Sequence, residues 1–409
     1  MSGRLRILCI ATMFPNPRMP VHAQFVKQRL DALSKRVELT VVSPIPWFPG
    51  EQYLARYANR SRIGAQTDAN AYPTYFPKFF SIPAVLKPLE GVFLAVSLWN
   101  FIRKHGLKGK IDLLDCHLAF PEGFAGALLA RVLGIPYVVT LRGHDINDLP
   151  RFPVRIRQVL FGLRHCARYF GVAQALVDGA VRLGAPAHKG HASTNGVDTA
   201  RFRPSMKPEA RQALGLPGDQ RYLLSVSHLV PRKGVDILLL ALALLRAAGQ
   251  ADLCLIIVGK GGEEGDCEAE LRALALELGI ADHVVWAGPV LNTDLHLWYS
   301  AADVFCLASE KEGWPNVILE ALACATPVVA HRTWGVPEII TGPDLGILVD
   351  TRAPQAFADA IGAALARPWH PEQLRSYALD NTWDKVAEGL MRHFQEIVAS
   401  GKPATRSDR

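Results

Sequence analysis

Residues 312–330 read EGWPNVILEALACATPVVA. Pro315 suits the first turn of a helix, where its missing N–H removes no hydrogen bond. The next apolar side chains recur at helical spacing, at Val317, Ile318, Ala321, Leu322 and Ala325. Pro327 ends that pattern, and the Pro-Val-Val-Ala that it opens is typical of a short buried strand. The stretch therefore predicts a loop, a helix and a strand, which is a unit of α/β architecture.

The same stretch contains two glutamates, Glu312 in the loop and Glu320 just over one turn inside the helix. The Gly-Trp-Pro turn before the helix exposes free backbone N–H groups, and these attract an anion such as phosphate. Glutamates beside an anion site suit the neutral hydroxyl groups of a sugar attached to that phosphate. The alternative is that Glu312 is a solvated loop acid and Glu320 a surface acid of the helix. The two residues alone leave both interpretations open.

Further motifs accompany this stretch in order along the chain. They are Asn195-Gly-Val-Asp198 with Phe202, Lys233-Gly-Val-Asp236, Val258-Gly-Lys-Gly261, Ala302-Asp-Val-Phe305 and Val336-Pro-Glu-Ile339. Together they resemble the retaining GT-B glycosyltransferases of family 4, whose signature is this Glu-x7-Glu followed by an Ala-rich helix and Pro-Val-Val. The N-terminal half looks most like enzymes of exopolysaccharide or teichuronic-acid type, through Phe14-Pro-Asn16, Phe120-Pro-Glu-Gly123 and Arg142-Gly-His-Asp145. The resemblance implies an α/β fold of GT-B type, with two Rossmann-like domains whose parallel sheets face a central cleft.

Strand and helix patterns alternate along the 409 residues, and this favours two domains with parallel sheets. The alternation breaks at a polar linker, about residues 195–210, and then restarts. We therefore predict one domain over residues 1–200 and a second over residues 201–380, and the resemblance implies that the first binds the acceptor and the second the nucleotide sugar. Residues 44–70, rich in Pro, Arg and Asn, are predicted to be loop. By the resemblance, a last helix over about residues 381–399 packs back on the first domain.

Composition favours a well-packed globular protein, with 49% hydrophobic and 20% charged residues. The longest apolar runs are too short to span a bilayer, and the N-terminus is interpreted as a first strand, not a signal peptide. The seven cysteines are scattered, and no pair has metal-ligand spacing. These features predict a protein of the reducing cytoplasm.

Charge is distributed unevenly between the two halves of the chain. Residues 1–190 hold 25 Lys and Arg against 11 Asp and Glu, whereas the remaining residues hold 20 against 27. The positive half indicates an anionic partner: membrane lipid, a lipid-phosphate acceptor or nucleic acid, with plain solubility as the alternative. The segments Tyr75–Lys104 and Val154–Ala167 mix apolar with cationic side chains. We therefore predict peripheral binding to the anionic inner face of the cytoplasmic membrane, and no nucleic acid.

Transfer from a nucleotide sugar requires a metal or fixed cations to stabilise the departing diphosphate. The chain has no Asp-x-Asp and no His/Cys cluster, so we expect no metal and no cofactor. The charge is instead expected from Arg232 and Lys233. In the family that the chain resembles, an Arg and a Lys five residues apart grip the diphosphate. Lys233 matches that Lys, but His228 stands at the Arg position, so either His228 donates to the phosphate or Arg232 substitutes. The full charge of Arg232 favours the second.

The resemblance also implies roles for the other donor-side residues. Glu320 would hold the ribose hydroxyls, and Glu312 those of the transferred sugar. The backbone around the start of the helix would line the sugar and phosphate, and this nucleotide-sugar site comprises Gly313, Trp314, Pro315, Asn316, Val317 and Gly259. Retention implies attack on the same face, with the leaving phosphate taking the acceptor proton. A covalent role for Glu312 is the alternative.

Candidate acceptor-side residues follow two predicted strand ends, and they are His117, Glu122, Arg142, His144 and Asp145. In many family members a His-Gly pair stands where Arg142-Gly143 does. Here the histidine is displaced by two residues, so either His144 or Arg142 takes its role. The expected partners are thus a nucleotide-sugar donor and a glycan or lipid-linked acceptor.

Two other functions are compatible with a fold of this type. A nucleotide-sugar 2-epimerase would need acids arranged for proton abstraction, and the motif set argues against it. A catalytically silent binding subunit would need the loss of Glu312, Glu320 or Lys233, and all three are present. A dinucleotide dehydrogenase is disfavoured because residues 259–265 read GKGGEEG, which does not match G-x-G-x-x-G.

Overall fold

The computed structural model describes residues 4–20, 22–54, 60, 62–147, 152–262 and 264–400. Contacts within the chain divide it into two compact units. The first unit comprises Met1–Asn195 together with Trp383–Arg409, and the second unit comprises Gly196–Thr382.

The first unit is built on a mostly parallel sheet. Its strands are β1 Arg6–Ile10, β2 Glu38–Val42, β3 Ile45–Trp47, β4 Gln66–Thr67, β5 Thr74–Tyr75, β6 Lys78–Phe80, β7 Leu113–Cys116, β8 Tyr137–Leu141, β9 Arg168–Gly171 and β10 Gly190–Ala192. Eight of these form one sheet in the order β10-β9-β8-β7-β1-β2-β5-β4, while β3 pairs with β6 beside it. Only the β4–β5 pair among the described strands is antiparallel. The helices between them are α1 Gln24–Ser34, α2 Glu90–Lys104, α3 Phe124–Leu133, α4 His144–Asn147, α5 Pro153–His165 and α6 Gln174–Arg182.

The second unit repeats the architecture with a six-stranded parallel sheet in the order β13-β12-β11-β14-β15-β16. Its strands are β11 Arg221–Val226, β12 Leu253–Val258, β13 Val284–Gly288, β14 Val304–Leu307, β15 Val328–His331 and β16 Gly346–Val349. Its helices are α7 Lys207–Ala213, α8 Val235–Ala247, α9 Glu268–Glu277, α10 Leu295–Ala301, α11 Asn316–Ala323, α12 Val336–Ile339, α13 Pro354–Ala366 and α14 Pro371–Asp380.

The last helix, α15 Trp383–Ala399, belongs to the first unit. Its Leu390 and Phe394 are buried in the same apolar cluster as Val26 and Leu30 of α1. The indole N–H of Trp383 donates a 2.9 Å hydrogen bond to Gln28. The chain therefore returns to its first sheet only at its end.

Each sheet has one point where the strand order reverses, and ligands of open α/β sheets bind at such points, beyond the carboxyl ends of the strands. In the second unit the reversal lies between β11 and β14, and in the first unit between β1 and β7. The loops after these four strands carry most of the site residues predicted from the sequence.

Two of the loop predictions need correction. Residues 44–70 were expected to be loop, yet they include β3 and β4. These strands hold only three and two residues, and β3 contains Pro46, so they have no alternating pattern to detect. The predicted linker also contains the start of α7, because Pro208 occupies a first-turn position of that helix.

The cysteines are mostly core residues. All seven are free thiols, and six of them are buried, with Cys267 half-buried. No helix in the described parts of residues 4–400 combines the length and the apolar character needed to cross a membrane.

Candidate active site

In the second unit the loops after β11 and β14 pack directly against each other. Gly234 has a left-handed backbone (φ 69°), and a Cβ there would overlap the carbonyl oxygen of Ala308. The backbone N–H of Glu310 donates a 2.8 Å bond to the carbonyl of Arg232. Glycine is therefore required for the close approach that brings Lys233 to Glu312.

Lys233 and Glu312 form an ion pair across these two loops. Lys233 Nζ lies 2.5 Å from Glu312 Oε1, and the two side chains are only 14% and 12% exposed. So close a contact directs the two groups at the same point. A ligand that takes Lys233 therefore competes with Glu312 for the ammonium group.

Arg232 and His228 lie beside this pair but nearer the surface. Arg232 donates two hydrogen bonds to Glu264, at 2.5 and 2.7 Å. That contact lowers the pKa of Glu264, and the charges of Arg232, Lys233 and His228 contribute further. Arg232, Lys233 and His228 thus lie near one exposed carboxylate. An exposed pair of this kind stabilises the fold little, so an anionic ligand can replace Glu264 as the partner of Arg232.

The loop before α11 presents the helix N-terminus predicted from the sequence. Pro315 is the N-cap residue and Asn316 the first helical residue, with Gly313 half-buried before them. Asn316 and Val317 are half-buried, and their N–H groups fall in the first helical turn, where an anion is stabilised. Trp314 is 8% exposed, and its indole N–H has no partner among the described residues.

Glu320 lies one turn further along α11 and is held by a tyrosine. The hydroxyl of the fully buried Tyr299 in α10 donates a 2.9 Å bond to Glu320 Oε2. Burial raises the pKa of Glu320 to about 7, although the bond from Tyr299 opposes this shift. The other carboxylate oxygen remains available for a ligand hydroxyl.

A raised pKa at Glu320 makes stability depend on pH. The folded protein retains this proton between about pH 4.5 and 7 where the unfolded chain has lost it, so stability falls as pH rises through that window. We expect Glu320→Gln, which stays neutral, to gain stability relative to the parent protein through the window and to hold that gain above pH 7. Urea denaturation between pH 4.5 and 8 measures it. The exposed Glu277→Gln is the control, and a difference for Glu320→Gln that does not change with pH would contradict the prediction.

Gly259 has a structural role in the same unit. Its φ is 146°, and a Cβ at this position would overlap the carbonyl oxygen of Ser227. The residue therefore lets the end of β12 close onto the loop after β11 that carries His228. The hydroxyl of Ser227 is buried and has no partner among the described residues.

In the first unit, Glu122 connects the loops after β1 and β7. Its Oε1 accepts bonds from the backbone N–H and the hydroxyl of Thr12, at 3.0 and 2.5 Å. Glu122 is fully buried, its Oε2 has no partner among the described residues, and burial raises its pKa to about 7. The carboxyl group lies where the strand order of this sheet reverses.

Asp145 shapes the neighbouring loop. Its two carboxylate oxygens accept bonds from the backbone N–H groups of Ala119, Arg142 and Gly143, at 3.0–3.1 Å. Asp145 is fully buried, so it positions the loop that carries Arg142. His144 begins α4, but its side chain lies outside the described part of the structure.

His117 and Arg142 belong to one buried polar network. Arg142 donates a 2.9 Å bond to His117 Nδ1, so the opposite nitrogen, Nε2, carries the proton and donates to Asp115 at 3.1 Å. Burial and the nearby arginines lower the pKa of His117 to about 4, so the ring is neutral at pH 7. Arg142 also donates to Asn195 at 3.0 Å. The network leaves His117 with both ring nitrogens occupied.

One buried group in the described residues has donor atoms of the kind that bind metals: Cys9, Asp115 and His117. Its Asp115 already pairs with Arg29 at 3.4 Å and with His117. Two arginines beside the group, Arg29 and Arg142, make it unfavourable for a cation. This geometry fits a charge network better than a metal site.

Comparison with known proteins agrees with the geometry of both units. The model of the "Glycosyltransferase Family 4" domain matches residues 22–201, and that of "Glycosyl transferases group 1" matches residues 206–380. A D-inositol 3-phosphate glycosyltransferase of Catenulispora acidiphila is 30% identical, over 72% of this chain and 74% of that protein. The chain belongs to glycosyltransferase family 4.

Two further relatives are similar to this chain over different lengths. A candidate teichuronic acid biosynthesis glycosyltransferase, TuaC of Bacillus subtilis, is 28% identical over 98% of this chain and 96% of its own length. A D-inositol 3-phosphate glycosyltransferase of Acidothermus cellulolyticus is 37% identical, but the match spans 51% of this chain and only 48% of that protein.

Solved structures confirm the GT-B fold class predicted for the glycosyltransferase. Sucrose-phosphate synthase of Thermosynechococcus elongatus has a TM-score of 0.76 at 19% identity, covering 97% of this chain and 100% of that one. Anabaena Alr3699/HepE in complex with UDP has a TM-score of 0.72 at 18% identity, covering 96% and 100%. At these identities the likeness concerns the fold alone.

Several residues of the glycosyltransferase's two sites carried no signal in the sequence. Each of these residues contacts a partner that is distant in the chain: they are Thr12, Arg29, Asp115, Glu264 and Tyr299. The separation in sequence ranges from 21 residues, between Tyr299 and Glu320, to 111 residues, between Arg29 and Thr140. A polar residue shortly after a buried strand, such as Thr12 two residues after β1, was the only available indication.

Proposed function

We propose that this glycosyltransferase moves a hexose-type sugar, with retention of configuration, from a UDP- or GDP-sugar to a glycan or lipid-linked glycan during cell-surface polysaccharide synthesis. The observation that carries the proposal is the poorly solvated Lys233–Glu312 pair next to the N-terminus of α11. Such a site offers a cation and helix N–H groups to a diphosphate, and a carboxylate to sugar hydroxyls. The full-length similarity to a candidate teichuronic acid glycosyltransferase supports the polysaccharide context.

The donor would bind to residues of the second unit. Lys233 and Arg232 would neutralise the diphosphate, with His228 as a further donor. Glu312 would accept hydrogen bonds from the transferred sugar and Glu320 from the ribose. The HepE structures with UDP and with UDP-glucose support a nucleotide-sugar donor.

Transfer would form a bond from the acceptor oxygen to the anomeric carbon as the bond to the phosphate oxygen breaks. Attack on the same face keeps the configuration, and the leaving phosphate takes the acceptor proton. The cations then stabilise the charge that develops on the diphosphate. No residue of the chain needs to form a covalent intermediate.

A panel of nucleotide sugars tests the proposal directly. The correct donor at about 100 times its dissociation constant should add roughly 2.7 kcal/mol to the free energy of unfolding. Incubation with that donor then separates three functions: a transferred sugar supports the proposal, an epimerised sugar indicates an epimerase, and binding without turnover indicates a silent subunit.

Sugar transfer should not depend on a divalent metal, because Lys233 and Arg232 would supply the positive charge for the diphosphate. We expect the rate with the correct donor to persist in excess EDTA. The control adds Mg²⁺ or Mn²⁺ to the chelated enzyme. Complete loss of activity in EDTA that either ion restores would disprove this prediction.

The first unit would also bind an anionic membrane. The structure modifies the two surfaces predicted from the sequence: in Val154–Ala167, Val159 and Leu163 are core, whereas Val154 is 51% exposed. Arg155 stacks on the neighbouring, exposed Phe152 at 3.9 Å. Arg168 pairs with Glu396, and Arg151 lies outside the described residues. In Tyr75–Lys104 the exposed side chains are cationic or aliphatic apart from Asn100, and Phe76 and Phe79 are buried.

Sedimentation with liposomes measures this binding. We expect binding that needs anionic lipid, weakens in high salt and falls when Arg155, Arg157 and Arg164 become Glu, since each cation near an anionic leaflet contributes about 1 kcal/mol. The control reverses three exposed arginines of the second unit, Arg203, Arg272 and Arg332. An equal effect of the two sets, or equal binding to neutral lipid, would refute the electrostatic argument.

A further inference from the structure

A groove of about 560 Å³ runs along α2 in the first unit, between that helix and strands β5 and β6. Its wall includes five aromatic side chains, from Tyr75, Phe79, Phe80, Phe93 and Phe101. Phe80 meets Phe93 edge to face at 5.2 Å, and Tyr75 packs on Phe101 at 5.0 Å. The size falls in the range of small-molecule sites, and the wall suits an apolar ligand.

The rim of the groove is apolar on one side and cationic on the other. Val96 of α2 lines the groove and is 54% exposed, and the nearby Val92 of α2 and Leu89 just before the helix are 38% and 44% exposed. Lys78 and Lys104 line the groove, are exposed, and form no ion pair among the described residues. This combination matches a lipid phosphate, whose chain is apolar and whose headgroup is anionic.

Another face of α2 packs on the acceptor-side loop. A Cβ at Gly91, in the first turn of α2, would come within 3.4 Å of the ring of Phe120, which is two residues before Glu122. Phe93 of the groove is two residues after Gly91, and residues two apart on a helix do not share a face. The helix therefore lies between the groove and the loop that presents Glu122.

We propose that this groove binds one apolar chain, isoprenyl or acyl, of a lipid-phosphate acceptor. The inference rests on the proposed function and specifies its acceptor. The aromatic wall removes the chain from water, while Lys78 and Lys104 attract the phosphate. The apolar chain then lies against the first unit, and the phosphate with the group to be glycosylated lies at the two lysines.

The test uses the full-length protein and a C15 isoprenyl monophosphate below its micelle concentration, with a C5 isoprenyl monophosphate and inorganic phosphate as comparisons. Titration calorimetry should give saturable binding of the C15 compound only. Asn100→Trp, which fills the groove from an exposed position, and Val96→Glu should each weaken binding at least tenfold. Val132→Glu on α3, where the valine is 61% exposed, is the matched control and should change binding less than twofold.

Measuring donor binding by each variant distinguishes a failure of the proposed function from a failure of the groove proposal. If no nucleotide sugar binds the parent protein, the proposed function fails on its own. If the donor binds the parent and variants equally, tight C15 binding that Asn100→Trp and Val96→Glu abolish supports the groove. C15 binding that is absent, equal to that of the C5 compound, or unchanged in both variants overturns it. Loss of vesicle binding in these variants without saturable C15 binding also overturns it, because the face would then contact bulk lipid only.

Discussion

Replacement of Lys233 by alanine should lower sugar transfer by about 10²–10³-fold, the cost of losing one preorganised partner of the transition state. The lysine is held by Gly234, whose backbone no other residue could adopt without displacing the loop after β14. Its ammonium group is only slightly solvated, so its charge acts strongly on a diphosphate at the helix N-terminus. Single-turnover kinetics with the correct donor measure the chemical step.

Two comparisons make this prediction specific. Lys311→Ala removes an exposed cation next to Glu312 and should change the rate little. Arg232→Ala should reduce transfer more than His228→Ala, because Arg232 carries a permanent charge and a fork of donors already directed at a carboxylate. The reverse order would mean that His228 holds the diphosphate and that Arg232 serves only to pair with Glu264.

The sequence was sufficient wherever local rules decide the structure. Pro315 and the apolar spacing after it predicted a helix from this loop, and α11 does begin at Asn316. The alternation of strands and helices predicted two parallel sheets, because a parallel connection requires a crossover helix. The order of the motifs then indicated glycosyltransferase family 4.

Contacts between distant parts of the chain could not be predicted in the same way. Arg29 fits the pattern of an amphipathic helix, yet it is 2% exposed and reaches Thr140 and Asp115. Glu312 could be recognised as a possible sugar ligand, but nothing in the sequence paired it with Lys233, 79 residues earlier. Such pairings depend on which strands are neighbours, and single-sequence patterns do not encode that order.

The Lys233–Glu312 pair leads to a second large effect, on the binding of free nucleotide. A diphosphate that takes Lys233 leaves Glu312 as a poorly solvated carboxylate without its partner, which is unfavourable. A nucleotide sugar can offset this cost, since its sugar hydroxyls can donate to Glu312. A nucleoside diphosphate without the sugar cannot. The pair should therefore weaken the binding of the product relative to the donor.

We expect Glu312→Gln to bind free UDP or GDP about tenfold more tightly, equivalent to about 1.4 kcal/mol. The same variant should transfer sugar about 10²-fold more slowly, because the neutral amide is a weaker acceptor for the sugar hydroxyls. Glu320→Gln should behave in the opposite way and weaken the binding of free nucleotide, since that carboxylate is expected to hold the ribose.

Titration calorimetry with the nucleoside diphosphate alone distinguishes these outcomes. Glu310→Gln is the matched control, because Glu310 lies two residues away on the same loop, is 52% exposed and contacts only Arg352 among the described cations, at 3.9 Å. Unchanged or weaker binding of free nucleotide by Glu312→Gln would show that separating Lys233 from the Glu312 carboxylate does not reduce the affinity for nucleotide. Tighter binding together with slower transfer would identify the ion pair as the feature that favours release of the nucleotide after the sugar has gone.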